Sequence, residues 1–241
     1  MRGQPDYGMY AVKEVSASIS DMGEVAARLG SIVTYDKRGD VVDFDNFESP
    51  VLKWQTARSI NTAYVRLDSE SVRSLAQAVK LYTPATIGAA ASITRSFSTL
   101  GSKRLGNEFS LSKLDASCLL YLNFLYADPD GARTAQLQIS YADKTLSIVD
   151  ADDNVIVIAT YPAVTFNVMV FFSIKVVCDF TTNKYVRLLA GNYEYDISDY
   201  TIYCNPAAPS DFIVTSFYLE NITGAVGCCW IDDWVFTREE P

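Results

Sequence analysis

Phe172-Ser173-Ile174-Lys175-Val176-Val177-Cys178-Asp179-Phe180, then Thr181-Thr182-Asn183, then Tyr185-Val186-Arg187-Leu188-Leu189-Ala190, is the stretch on which the fold turns. Its two flanks are dense in β-branched and aromatic residues, which fit a pleated, half-buried surface. Its centre carries short polar residues that bond to their own backbone and favour a turn. The stretch therefore predicts a hairpin of two long strands. The same punctuation recurs in both directions along the chain. Strands are predicted over 32–35, 41–44, 63–67, 77–83, 91–97, 104–111, 117–126, 134–141, 145–149 and 155–160. They resume over 168–180, 185–190, 193–197, 212–219 and 227–237. Turn residues link them, as in Asp128-Pro129-Asp130-Gly131, and Asp36-Lys37-Arg38-Gly39 reads as a hairpin connection with Gly39 at a positive φ. Many short strands without intervening helices predict an all-β antiparallel sandwich rather than a βαβ sheet.

The segment around Val72, Leu75, Ala76 and Val79 has helical spacing, whereas Val79-Lys80-Leu81-Tyr82-Thr83 alternates like a strand. The strand is the reading taken for 77–83. The N-terminus differs from the rest. Residues 1–18 read as an extended arm, because Gly3, Pro5, Asp6 and Gly8 discourage regular structure while Tyr7, Met9 and Tyr10 favour burial. A short helix follows, capped by Ser20 or Asp21, striped by Met22, Val25, Ala26 and Leu29, and ended by Gly30. The chain thus divides into an arm and helix over 1–31 and a β domain over 32–241.

Composition narrows the function. The chain has 241 residues, 49% hydrophobic, enough for one large β domain with a full core. Net charge is −9 with no block of Lys or Arg, which argues against nucleic acid and anionic membranes as partners. There is no histidine, which removes His-based triads, the usual near-neutral proton shuttle and most zinc sites. Five cysteines, Cys118, Cys178, Cys204, Cys228 and Cys229, form no CxxC pair. Cys118 and Cys178 sit in apolar strand patterns and are expected as buried thiols. The polar opening Met1–Asp6, with no apolar run behind it, does not read as a signal peptide.

Three stretches resemble the concanavalin A-like lectin/glucanase superfamily, including its laminin-G-like jelly rolls. Val42-Asp43-Phe44-Asp45-Asn46-Phe47-Glu48 followed by Trp54 is similar to the acidic opening strand of such modules. The 172–188 hairpin is similar to their central long strand and return. Trp230-Ile231-Asp232-Asp233-Trp234-Val235-Phe236-Thr237 is similar to their closing strand. The resemblance spans about residues 41–238 and implies a jelly roll, in a superfamily that hosts lectins, glycosidases, adhesion modules and virion proteins.

Several constellations are candidate sites. Trp230, Asp232 and Trp234 share a face if the closing strand is regular, and two indoles flanking a carboxylate would grip a sugar. The alternative, and the reading preferred, is that both indoles pack under the N-terminal helix or in the core between the sheets. Glu194-Tyr195-Asp196-Ile197-Ser198-Asp199 comes nearest to the paired carboxylates of related glucanases, with positions two apart about 6.6–6.8 Å along a strand. Its alternative is a solvated strand face. Asp150-Ala151-Asp152-Asp153-Asn154 resembles half a calcium loop, but Val155 and Tyr161 stand where such a loop needs Gly and Glu. The resemblance also implies Asp232 and Asp233 as candidate calcium ligands, with a structural role in the closing strand as the alternative. Asn221-Ile222-Thr223 matches a glycosylation sequon.

The expectation drawn from these features is a non-enzymatic structural protein with no cofactor. It would be a virion or phage component (capsid decoration, fibre or filament subunit), located in the particle and assembling through Tyr7, Met9, Tyr10, Met22, Val25 and Leu29. Its partners would be other copies or particle subunits. The alternative is an extracellular carbohydrate-binding, lectin-like module; a glycoside hydrolase ranks third.

Overall fold

The computed structural model describes residues 36, 38–73, 76–160, 170–207 and 210–241. The predicted arm, the helix with Met22, Val25 and Leu29, and the 32–35 strand lie outside them. Among the described residues there is no helix, and sixteen strands form two antiparallel sheets of eight. The first sheet holds β1 (Asp40–Asp45), β3 (Tyr64–Asp68), β4 (Ala78–Thr83), β6 (Arg104–Ser112), β11 (Phe172–Asp179), β12 (Lys184–Ala190), β13 (Tyr193–Asp196) and β16 (Gly227–Arg238). Its order is β13-β12-β11-β6-β16-β4-β3, with β1 also on β16. The second holds β2 (Gln55–Arg58), β5 (Ala90–Phe97), β7 (Cys118–Asp128), β8 (Gly131–Ser140), β9 (Thr145–Val149), β10 (Val155–Thr160), β14 (Tyr203–Asn205) and β15 (Phe212–Asn221). Its order is β10-β9-β8-β7-β15-β5-β2, with β14 on β8.

The two sheets close on one core because their strands alternate. In β7, Leu120, Leu122 and Phe124 point inward, and in β15 Ile213, Phe217 and Leu219 do the same. They meet Phe109, Leu111, Val176, Leu188 and Phe236 of the first sheet. A period of two puts every second side chain on the opposite face, so the same strands also build an outer surface. The ambiguous segment resolves as predicted, with β4 beginning at Ala78 and burying Val79 and Leu81. Gly39 has φ +80, the positive value expected of it, while the hairpin it was to close lies partly outside the described residues. Two strands were not predicted: β2, whose Gln-Thr-Ala-Arg is exposed throughout, and β14, which is three residues long.

The three stretches that carry the resemblance do different jobs. The central hairpin is β11 and β12, turning through Asn183 at φ 54. The opening stretch is β1, which pairs antiparallel with the closing strand β16, Asp45 opposite Trp234. There Asp45 accepts hydrogen bonds from the Trp54 indole at 3.1 Å and from the Phe47 amide at 2.8 Å, while Arg95 lies 3.2 Å away. The acidic opening is thus a structural clamp on the buried tryptophans.

Candidate functional site

The closing strand is not regular. Opposite β6, Asp232 faces Ser110 and Val235 faces Glu108, so three residues of β16 span two of β6. Asp233, at φ 48, takes up the extra residue as a β-bulge. Trp230 therefore packs outward with Ala78, Cys228, Tyr82 and Phe171, whereas Trp234 packs inward against Trp54 with centroids 4.9 Å apart. Both indoles are 0% exposed. Trp230 bonds Asp68 at 3.3 Å, and Trp234 bonds Asn107 at 2.7 Å. Asp232 is buried as well and accepts the Arg73 and Asp233 amides. Trp230, Asp232 and Trp234 share no open face; the bulge is the reason, and sequence periodicity does not reveal a bulge.

The other acidic candidates are occupied locally. Glu194 lies in a bidentate pair with Arg38 at 2.9 Å for both bonds, and Arg38 holds its carboxyl below the ordinary range. A general acid needs the opposite shift. Asp196 is bound to its own turn at Ser198, which likewise lowers it. Asp150 receives the amides of Asp152 and Asn154, both at 2.9 Å, and so closes the β9–β10 turn. Asn221 donates to Thr83, Pro84 and Ala225 and is 1% exposed, so the sequon amide is internal to the β15–β16 connection. All five cysteines are free thiols; burial pushes Cys228 up to about 12. Among the described residues no group of three or more His, Cys, Asp or Glu could hold a metal ion.

The outer face of the first sheet is a lattice of opposite charges. Lys175, fully buried, meets Glu240 at 2.7 Å, Asp36 at 3.1 Å and the Arg38 carbonyl at 3.0 Å. Arg187 also bonds Glu240 and the Pro241 carbonyl. Glu240 lies so close over Gly106 that a Cβ there would stand 2.7 Å from its Oε1. Over β6, β11 and β12 these ion pairs close the face.

The outer face of the second sheet has a different chemistry. Cross-strand register aligns Ser92, Tyr218, Tyr121, Gln138 and Ser147 in one row, and Thr94, Ser216, Asn123, Gln136 and Val149 in the next. Tyr121, Asn123, Gln136, Tyr218 and Glu220 line a shallow depression of about 340 Å³. The two tyrosine rings stand 6.0 Å apart and tilted at 48°. Gln136 donates to the Asn123 carbonyl oxygen at 2.6 Å, which fixes both amides and leaves further donors and acceptors free. The Gln136 backbone is held from beneath: Tyr185, crossing from β12, accepts its N–H at 2.9 Å and donates to the Val149 carbonyl at 2.7 Å. Burial, and then the Glu220 carboxylate, raise the phenols of Tyr121 and Tyr218 above their ordinary value. A second depression of about 170 Å³ adjoins the first, lined by Thr134, Gln136, Val149, Asp150, Asp153 and Tyr203. The sequence signal for these residues was present as the polar and aromatic half of strands whose other half is leucine and phenylalanine.

No family model matches the chain and no curated protein matches it. Solved structures do. An endo-β-1,4-glucuronan lyase from the fungus Trichoderma reesei is 10% identical, with a TM-score of 0.57 over 82% of this chain and 95% of that one. A Bacillus subtilis protein of unknown function with a galectin-like fold is 10% identical, with a TM-score of 0.54 over 83% and 97%. These likenesses show the fold, a galectin-like jelly-roll sandwich of the kind that the three stretches imply. They also correct the expectation of a virion or phage component: the matches are a polysaccharide lyase and a galectin-like protein, and neither is named as a particle subunit.

Proposed function

We propose that this protein binds carbohydrate on the outer face of the second sheet, as a lectin-like module without catalytic activity. The observation that carries this reading is the Tyr121–Tyr218 pair beside the fixed Asn123–Gln136 amides. Aromatic faces stack on the C–H surface of a sugar ring, and paired amides satisfy neighbouring hydroxyls in both directions. The fold match to a polysaccharide lyase and a galectin-like protein supports the same choice of ligand.

The chemistry of the face argues against turnover. Glycoside hydrolysis needs two carboxyl groups flanking the bond, whereas this depression offers Glu220 alone. The outward positions of β8 are Thr134, Gln136, Gln138 and Ser140, with no acid among them. Elimination from a uronate needs its carboxylate neutralised, and no Lys or Arg lines either depression.

A glycan array followed by calorimetry tests the reading. Binding that is lost in Tyr121→Ala and Tyr218→Ala while the fold is kept is the expected result. Silence across a broad array, or release of unsaturated or reducing ends from a polysaccharide by the pure protein, overturns it.

A further inference from the structure

We infer that the two depressions on the second sheet form one track for a linear, uncharged glycan of about three sugar rings, since three strand spacings cover roughly 14 Å. This rests on the preceding reading of the face and adds length and charge selection to it. Gln136 lines both depressions, so they are contiguous across β8. The far end is built by β14, a short strand whose one neighbour in the sheet is β8 and which sets Tyr203 opposite Thr134. Tyr203 is 46% exposed, a large aromatic surface left open at the rim of the second depression. A chain entering over Tyr121 and Tyr218 therefore meets amides in the middle and a third tyrosine at the exit.

The charges set the class of chain. Glu220 stands at the first end, with Asp150 and Asp153 at the other, and no cation lines the path between. A uronate would bring its carboxylate into contact range of like charges without a Lys or Arg to receive it, in a protein whose net charge is already −9. A neutral chain meets no such opposition, and the fixed amides satisfy its hydroxyls.

The experiment is a calorimetric length series of neutral β-linked gluco-, galacto- and manno-oligosaccharides, set beside oligoglucuronates of equal length. Affinity for a neutral series should rise up to the trisaccharide and then level. Tyr203→Ala should lower trisaccharide affinity about tenfold while leaving the disaccharide unchanged; Tyr203→Phe, which keeps the ring, should behave as the parent. Oligoglucuronates should bind at least tenfold more weakly, with Glu220→Gln narrowing the gap. If Tyr121→Ala abolishes binding but length and Tyr203 make no difference, or oligoglucuronates bind best, the track is overturned and the glycan site stands. If no oligosaccharide binds, both fall.

Discussion

The two outer faces of this sandwich are made by the same alternation of residues and reach opposite solutions. On the first sheet the outward positions hold Lys175, Glu108, Arg187 and Asp232, all buried: Lys175 and Arg187 pair with Asp36 and Glu240, Glu108 accepts the Asp36 amide, and Asp232 accepts the Arg73 and Asp233 amides. On the second they hold tyrosines, amides and hydroxyls, partly exposed and largely uncharged. A buried charge must find its counter-charge inside the protein, so the first face is committed to the fold. An amide or phenol at the surface is cheap to desolvate, so the second face can exchange water for a ligand. Polarity alone does not mark a site; unspent hydrogen-bonding capacity does.

Breaking one face should therefore cost stability, and breaking the other should cost binding. Lys175→Ala removes the buried cation that Glu240 and Asp36 share and leaves Arg187 alone to serve both, and urea unfolding should show a loss of about 3 kcal/mol. Removing the Tyr185 hydroxyl in Tyr185→Phe should cost about 1–3 kcal/mol, because the Gln136 N–H, the Val149 carbonyl and the Gln136 carbonyl, which stands 3.2 Å from the hydroxyl, lose their partner. The same change should weaken glycan binding through the shifted Gln136. Tyr121→Ala and Tyr218→Ala should each cost no more than about 1 kcal/mol of stability while reducing glycan affinity at least tenfold. A Tyr121→Ala protein that unfolds as readily as Lys175→Ala would collapse the distinction between the faces.

Acid should sharpen it further. Asp128, at the β7–β8 turn, is buried yet held at about 2, below its ordinary 3.8, by Arg133 at 2.8 Å and Lys103 at 2.6 Å. A depressed folded-state value stabilises above the ordinary range, and that stability is lost as pH falls from about 4 toward 2. Asp128→Asn should flatten that part of the acid-unfolding curve. Among the described residues the second sheet thus keeps an ion pair at its end and none across its open face.

How far the sequence could be read follows from the same physics. The hairpin at 172–190, the β4 boundary and the closing strand were legible because apolar alternation is a local signal. β2 was not, since an exposed Gln-Thr-Ala-Arg edge has no alternation to detect. Trp230 and Trp234 were legible as important residues but not as residents of opposite faces, because positive φ at Asp233 leaves no mark on the hydrophobic pattern. The site was hardest. Tyr121, Asn123, Gln136 and Tyr218 come from three strands, and only cross-strand register brings them together.

The bulge at Asp233 works as a phase shifter in space. Forcing Asp233 into a regular extended position, with no residue lost, would leave the composition of β16 intact, yet it would turn Trp234 and Phe236 to the outside and drive Val235 and Thr237 into the core. The clasp of Glu240 on Lys175 and Arg187 would go out of step with them. A single inserted residue thus lets one strand serve as wall, core and latch in succession.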